Sequence, residues 1–155
     1  MIKEIKIGLV GIIALFTAGM VSSQDLQYKD NHYYKKEMLY TGTHIEYYEN
    51  GNPKIERSIK DGVEHGQVFT YFENGKKQEQ RSYIEGKKDG LWINWNEQGI
   101  KVAEARYKND LKDGDWFIWD DEGNLMYEMF YKKGEKSGNW KMYNKDGTLK
   151  NERKY

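Results

Sequence analysis

From residue 42 onward, apolar and polar positions alternate in short runs broken by glycine. Four runs follow a glycine: "QVFTYFE" (67–73), "LWINWNE" (91–97), "DWFIWDD" (115–121) and "NWKMYNK" (139–145). Each is answered by a second run: "KQEQRSY" (77–83), "KVAEARY" (101–107), "LMYEMFY" (125–131) and "LKNERKY" (149–155). A period of two over six or seven residues predicts half-buried strands. The breaks are themselves periodic. Glycines recur every 24 residues at 42, 66, 90, 114 and 138, and again at 51, 75, 99, 123 and 147. A third series runs 62, 86 and 134, with Asp110 in the remaining place.

These series divide the chain into tandem two-stranded units, 42–65, 66–89, 90–113, 114–137 and a partial 138–155. The turn centred on Asn50-Gly51 and its repeats is predicted as the two-residue hairpin turn, with positive φ at both central residues. The segments "KDGVEHG", "EGKKDG", "NDLKDG" and "KGEKSG" read as longer polar loops between units. Asp110 tolerates the left-handed region and is expected to leave its loop unchanged.

Alternation assigns the faces. Ile45, Phe69, Ile93, Phe117 and Lys141 share one with Tyr47, Tyr71, Trp95, Trp119 and Tyr143. His44, Val68, Trp92, Trp116 and Trp140 lie on the other. Pairs nine residues apart match in kind: Ile59 with Val68, Tyr83 with Trp92, Tyr107 with Trp116, Tyr131 with Trp140. That matching predicts contact across adjacent strands, at roughly 0.2–1 kcal/mol per pair. A lone hairpin is marginal in water, so each unit depends on its neighbours. Gly66, Gly90, Gly114, Gly138, Trp92, Trp116, Trp140, Tyr83, Tyr107 and Tyr131 are therefore assigned structural roles. The expected fold is all-β: an elongated, twisted antiparallel meander of hairpin repeats, open and single-layered. Its ten or so strands span about 45 Å at ~4.8 Å spacing. Residues 24–41 lack the glycines and are expected to form an irregular first strand or cap.

Composition changes this picture in two ways. Charged residues are 32% of the 155, which alone would suit disorder, but 13 Tyr and 5 Trp bring aromatics to 15%. Such a chain folds by burying rings. The first 23 residues are of another kind: Lys3 and Lys6, then a charge-free apolar run over 7–21, then "SSQ". This is the pattern of a secretory signal peptide cut after Ser23, and the run is short for a membrane-spanning helix. The protein is thus expected to be exported, to a periplasm, the cell envelope or the medium. Losing Lys3, Lys6 and Glu4 from a neutral chain leaves a net charge of −1, which argues against nucleic acid as a partner. With no cysteine, disulfides and thiolate chemistry are excluded.

The phrase G-x-W-x-x-(Y/W)-x-x-x-G, as in "GLWINWNEQG" and "GNWKMYNKDG", precedes a strand with E-x-x-Y (Glu104 with Tyr107, Glu128 with Tyr131). Together they resemble the MORN repeat, in its bacterial variant, over 42–155. His44, Val68 and Gln80 depart from the pattern, so the first two units are the weaker matches. The resemblance implies a hairpin-per-repeat sheet used as an interaction surface for protein scaffolding or phospholipid contact. It also implies kinship with YwqK-type antitoxins.

No cluster announces a reaction. The row Glu56, Gln80, Glu104, Glu128, Glu152 repeats at roughly 10 Å, too wide for a retaining glycosidase pair. It reads as hydrogen-bond acceptors for turn N–H groups or as partners of basic neighbours. His32, His44 and His65 show no metal spacing, and Ser58 and Ser82 read as sheet surface. Lys60, Lys87, Lys88, Lys108, Lys112, Lys132, Lys133 and Lys136 read as solvated turn residues that line one edge. A single layer leaves rings exposed, and exposed apolar patches mark interaction sites. The expectation is a non-enzymatic scaffold without cofactor or metal that binds another protein through Tyr71, Trp95, Trp119 and Tyr143. The alternatives are an antitoxin or immunity protein for one toxin, and a module for envelope lipid or glycan.

Overall fold

The computed structural model describes residues 26–155; the expected signal peptide and its expected cut site lie outside them. The repeats form one open antiparallel sheet, built from β4 (Gly42–Tyr47), β5 (Pro53–Lys60), β6 (Val63–Tyr71), β7 (Lys77–Ile84), β8 (Lys87–Lys88), β9 (Gly90–Trp95), β10 (Lys101–Lys108), β11 (Leu111–Trp119), β12 (Leu125–Lys132), β13 (Glu135–Tyr143) and β14 (Leu149–Lys154). Strands neighbour in chain order from β4 to β14, with β8 as a short spur on β7. The meander and its single layer are as the glycine period requires. Among the described residues only Ile59, Val68, Tyr131, Ser82 and Gly62 are fully buried. Ser82 belongs to that group although a surface place was expected: it accepts a hydrogen bond from Gln67 (Nε2 to Oγ, 3.0 Å) beneath the next strand.

The two kinds of turn are exchanged relative to the expectation. At Asn50-Gly51 and its repeats only the glycine has positive φ, at 81° to 89°. The Gly51 N–H donates to Tyr48 O at 3.0 Å, and the same bond recurs at Gly75, Gly99, Gly123 and Gly147. This is a type I turn followed by one left-handed residue. In three of the five turns the side chain before the glycine supports this form, and at Gly99 and Gly123 Asn96 and Asp120 Oδ1 accept the Ile100 and Asn124 N–H instead. Asn50 Oδ1 accepts the Asn52 N–H, Asn74 Oδ1 the Lys76 N–H and Asp146 Oδ1 the Thr148 N–H, each at 2.9–3.0 Å. That local bond holds the Asx residue on the ordinary side of φ space. The tight turns with both residues left-handed lie instead where longer loops were expected. They are Asp61-Gly62, Glu85-Gly86, Asn109-Asp110 and Lys133-Gly134. Asp110, at φ 66°, serves as its glycine counterparts do.

Strands therefore run through Gly66, Gly114 and Gly138, whereas β4 and β9 start at Gly42 and Gly90. Gly66 and Gly114 lie inside nine-residue strands, opposite register shifts at Arg57/Ile59 and Ala105/Tyr107. Their φ values of 100° and 109° fit a bulge that only glycine accepts easily. The approach there is close as well. A Cβ on Gly90 would come within 3.1 Å of Ser82 Cβ, and one on Gly114 within 3.2 Å of Arg106 Cβ.

The residues before the array are more regular than the sequence suggests. β1 (Leu26–Lys29), β2 (His32–Lys35) and β3 (Met38–Leu39) form a separate three-stranded sheet. Its turns, Asp30-Asn31 and Lys36-Glu37, take positive φ without glycine. The Tyr33 N–H donates to Gly62 O and the Gly62 N–H to Tyr40 O, both at 2.8 Å. Tyr33 also lies under the Arg57 guanidinium at 5.9 Å. This small sheet thus folds onto the first hairpin beside Ile59 and Val68, which are only 4% and 2% exposed. The aliphatic pair stands where later units use Tyr and Trp.

Candidate functional site

Each face of the sheet carries aromatic rows, and the structure gives the two faces different work. On one, the rings form a continuous ladder: Tyr83, Trp92, Tyr107, Trp116, Tyr131, Trp140, Tyr155. Successive centroids are 4.8–5.6 Å apart and the planes are tilted by 50° to 62°. The tilt suits ring quadrupoles, at about 0.5–1.5 kcal/mol per pair beyond area burial. The expected pairs nine residues apart are present, and pairs fifteen apart join them into one stack. Trp92, Trp116 and Trp140 also donate Nε1–H to the carbonyls of Ser82, Arg106 and Phe130 at 3.0–3.2 Å. Their polar and apolar ends are both engaged within the chain.

Three lysines taken as solvated belong to this ladder. Lys88 Nζ lies 4.8 Å from the Trp92 ring centre and 5.2 Å from Tyr107. Lys112 is 4.2 Å from Trp116 and 4.6 Å from Tyr131. Lys136 is 4.5 Å from Trp140 and 4.8 Å from Tyr155. Each ammonium bridges a Trp and a Tyr of successive strands, a cation–π arrangement. One period earlier the position is Glu64 and its would-be Trp is Val68. The cation thus accompanies the ring, and the i, i+4 spacing of Lys to Trp at 24-residue intervals was the sequence signal for it.

The opposite face holds the four rings proposed for binding, about 10 Å apart, since equivalent units lie two strands apart. Tyr71, Trp95, Trp119 and Tyr143 are all half-buried. Three of them are held in place by named neighbours. Tyr143 donates its hydroxyl to Glu128 Oε2 at 2.8 Å, and Tyr71 to Glu56 Oε2 at 3.4 Å. Trp119 has no hydroxyl; there Glu104 binds Lys101 at 2.8 Å, and that ammonium lies 4.3 Å over the Trp119 ring. Phe117 and Phe69 flank Trp119 and Tyr71 at 5.7 and 6.4 Å. Opposite Trp95 the row has Gln80 in place of Glu. The carboxylates therefore pair with basic neighbours, one of the two expected roles, and also anchor tyrosine hydroxyls, which were not among the expected donors. Among the described residues no group of three or more His, Asp or Glu is placed to hold a metal ion.

Tyrosine acidity follows from this packing. Burial raises the Tyr33, Tyr71, Tyr83 and Tyr107 hydroxyls above 10.0, and the hydrogen bond to Glu128 raises Tyr143. A raised tyrosine pKa means the fold favours the neutral phenol. That stabilisation is complete below pH 10, the unfolded value, and is lost as pH climbs through the raised folded value. Residue-resolved NMR of the Tyr83 and Tyr107 rings through an alkaline titration should show their ionisation and the unfolding of the sheet together above pH 10; their ionisation in an intact sheet at the pH of free tyrosine would contradict it.

A family model described as MORN repeat variant matches residues 40–61, 64–85 and 112–133. The matches are in phase with the 24-residue period. Two of them fall on the units that lack the ladder tryptophan and were expected to match least, so Trp alone does not define the repeat. No curated protein matches the chain.

Proposed function

Because the chain carries MORN repeat variants, a non-enzymatic repeat module, we propose that it works as an interaction protein of the cell envelope. It takes another protein on the face bearing Tyr71, Trp95, Trp119 and Tyr143. The observation that carries this reading is the division of labour between faces. Ladder rings stack on one another and under their lysines, whereas Tyr71, Trp119 and Tyr143 stand outside any such stack, each half-exposed and oriented by Glu56, Lys101 and Glu128. Rings fixed in advance lose little entropy on binding, and aromatic residues dominate interface energetics. Export by the signal peptide belongs to the same proposal.

A comparison of the tagged protein with its Trp95→Ala/Trp119→Ala variant tests it. With envelope extract as prey, the natural chain should retain a discrete protein, and the double variant at least tenfold less, with its circular dichroism unchanged. A loss of about 2 kcal/mol or more is usual for interface aromatics. Capture of lipid alone would favour the membrane-surface reading and overturn this one.

A further inference from the structure

Three arginines occupy one repeat position on the face of the ladder: Arg57, Arg81 and Arg153. The first two have carboxylate partners within the chain. Arg57 lies 2.6 Å from Glu46 and 3.8 Å from Glu64, and Arg81 pairs with Glu79. Arg153 has no ion pair among the described residues. The repeat gives the reason. Four units on from Glu46 stands Met142, and three units on from Glu79 stands Asn151. Glu128 and Glu152 belong to the opposite face, where they act on Tyr143 and Lys141.

Arg153 borders a cleft of about 230 Å³ between β12, β13 and β14. Register sets Trp140 opposite Arg153, Met142 opposite Asn151 and Tyr127 opposite Met142. Met129 and Tyr155 complete a lining that is mostly aromatic and thioether. Lys141 borders it too, but its ammonium is 3.5 Å from Glu128. The Arg153 guanidinium lies 5.0 Å over the Tyr155 ring, and Lys136 adds a second positive charge 4.8 Å from the same ring. In the second unit the corresponding place is filled from within. Arg81 lies 5.3 Å over Trp92, and Asn94 donates to Glu79 at 3.2 Å.

We propose that this cleft binds an external carboxylate carried on an apolar stem, the anion resting on Arg153 as Glu79 rests on Arg81. A guanidinium takes a carboxylate through two parallel N–H donors. The Met129 and Met142 side chains adapt to a stem of irregular shape, and Trp140 gives it a ring to lie against. A small organic acid and an acidic residue of a peptide both present this chemistry. The cleft is on the other side of the sheet from Tyr71, Trp95, Trp119 and Tyr143, so it is independent of the partner proposed for those rings.

Titration with 3-phenylpropionate, followed by NMR at the Trp140 indole N–H and the Met129 and Met142 methyls, tests it. Half-saturation on the order of a few millimolar is expected for so small an acid. The neutral 3-phenylpropanamide should bind at least about threefold more weakly, the scale of an exposed charge pair. Arg153→Gln should bind acid and amide alike. Asn151→Glu, which supplies the internal partner that Arg81 has, should lose the preference as well. β14 is exposed throughout, so both variants should keep the natural far-ultraviolet spectrum. A second arm uses a blocked peptide carrying a Phe-Glu pair against its Phe-Gln counterpart, and the tighter of the two carboxylates identifies the source. No shift from either carboxylate up to about 20 mM, equal binding of the charged and neutral ligands, or an Arg153→Gln protein that still prefers the carboxylate would each overturn the proposal.

Discussion

Replacing Trp116 by alanine is expected to cost about 3 kcal/mol, the low end of the usual range for truncating a packed Trp. The ring touches Tyr107 at 5.4 Å and Tyr131 at 5.2 Å, donates to Arg106 O at 3.2 Å and carries Lys112 at 4.2 Å. The first three contacts bridge strands, and the Lys112 ammonium of the same strand reaches Tyr131 on the next; in a linear array stability resides in such junctions. The loss should therefore be local in origin and uneven in effect. Native-state hydrogen exchange should show β13 and β14 opening more readily than β5 and β6, because the latter remain joined to the intact side of the break. Trp119→Ala is the control. Its ring packs on Phe117 and under Lys101, and its loss should cost less than half as much in a urea titration. Equal losses would mean that the two faces share the packing evenly and that the ladder has no special role.

Gly114→Ala is expected to rank next, at about 2–3 kcal/mol, through backbone strain. At φ 109° the residue lies beyond the left-handed helical region, where a side chain is disfavoured even in open space. Space is short too, since the added methyl would approach Arg106 Cδ at 3.1 Å and Cβ at 3.2 Å. Gly147→Ala separates the two causes. Its φ is 81° and nothing lies within 4 Å of the new methyl, so about 1–2 kcal/mol of left-handed strain is the whole effect. Urea midpoints at unchanged slope would report the difference. Matching midpoints for the two variants would show that the bulge relaxes and that crowding by Arg106 adds nothing.

Much of this was legible along the chain, and what escaped shares one physical cause. The choice between turn types eluded local reasoning because Asn-Gly suits both; an Asx acceptor within each turn favours the form seen, as Asn50 and Asp146 do for the N–H two residues ahead and Asn96 and Asp120 for the N–H four ahead. Lys88, Lys112 and Lys136 look like solvated turn residues until the bulge at the following glycine brings their ammonium groups back over the rings. The Glu row was legible as a partner of basic neighbours, as Lys101 and Lys141 show, but not as an acceptor for hydroxyls fifteen residues away in chain order, one strand over. Residues 26–39 gave no period, yet they fold into strands because Asp30, Asn31, Lys36 and Glu37 accept positive φ where glycine would be expected.

The linear order of residues determined that this protein is a meander of two-stranded units, which rings meet nine residues apart, and that two faces alternate. Those properties depend on a period of two along each strand and a period of 24 between units, and a period survives in one dimension. Tertiary structure alone decided which aromatic rows join into one stack and which rings are held singly by carboxylates and lysines. It also decided where the first small sheet lies. Each of these depends on the register across strands and on the direction a bulged backbone gives its side chains, and register is a relation between segments that no single segment carries.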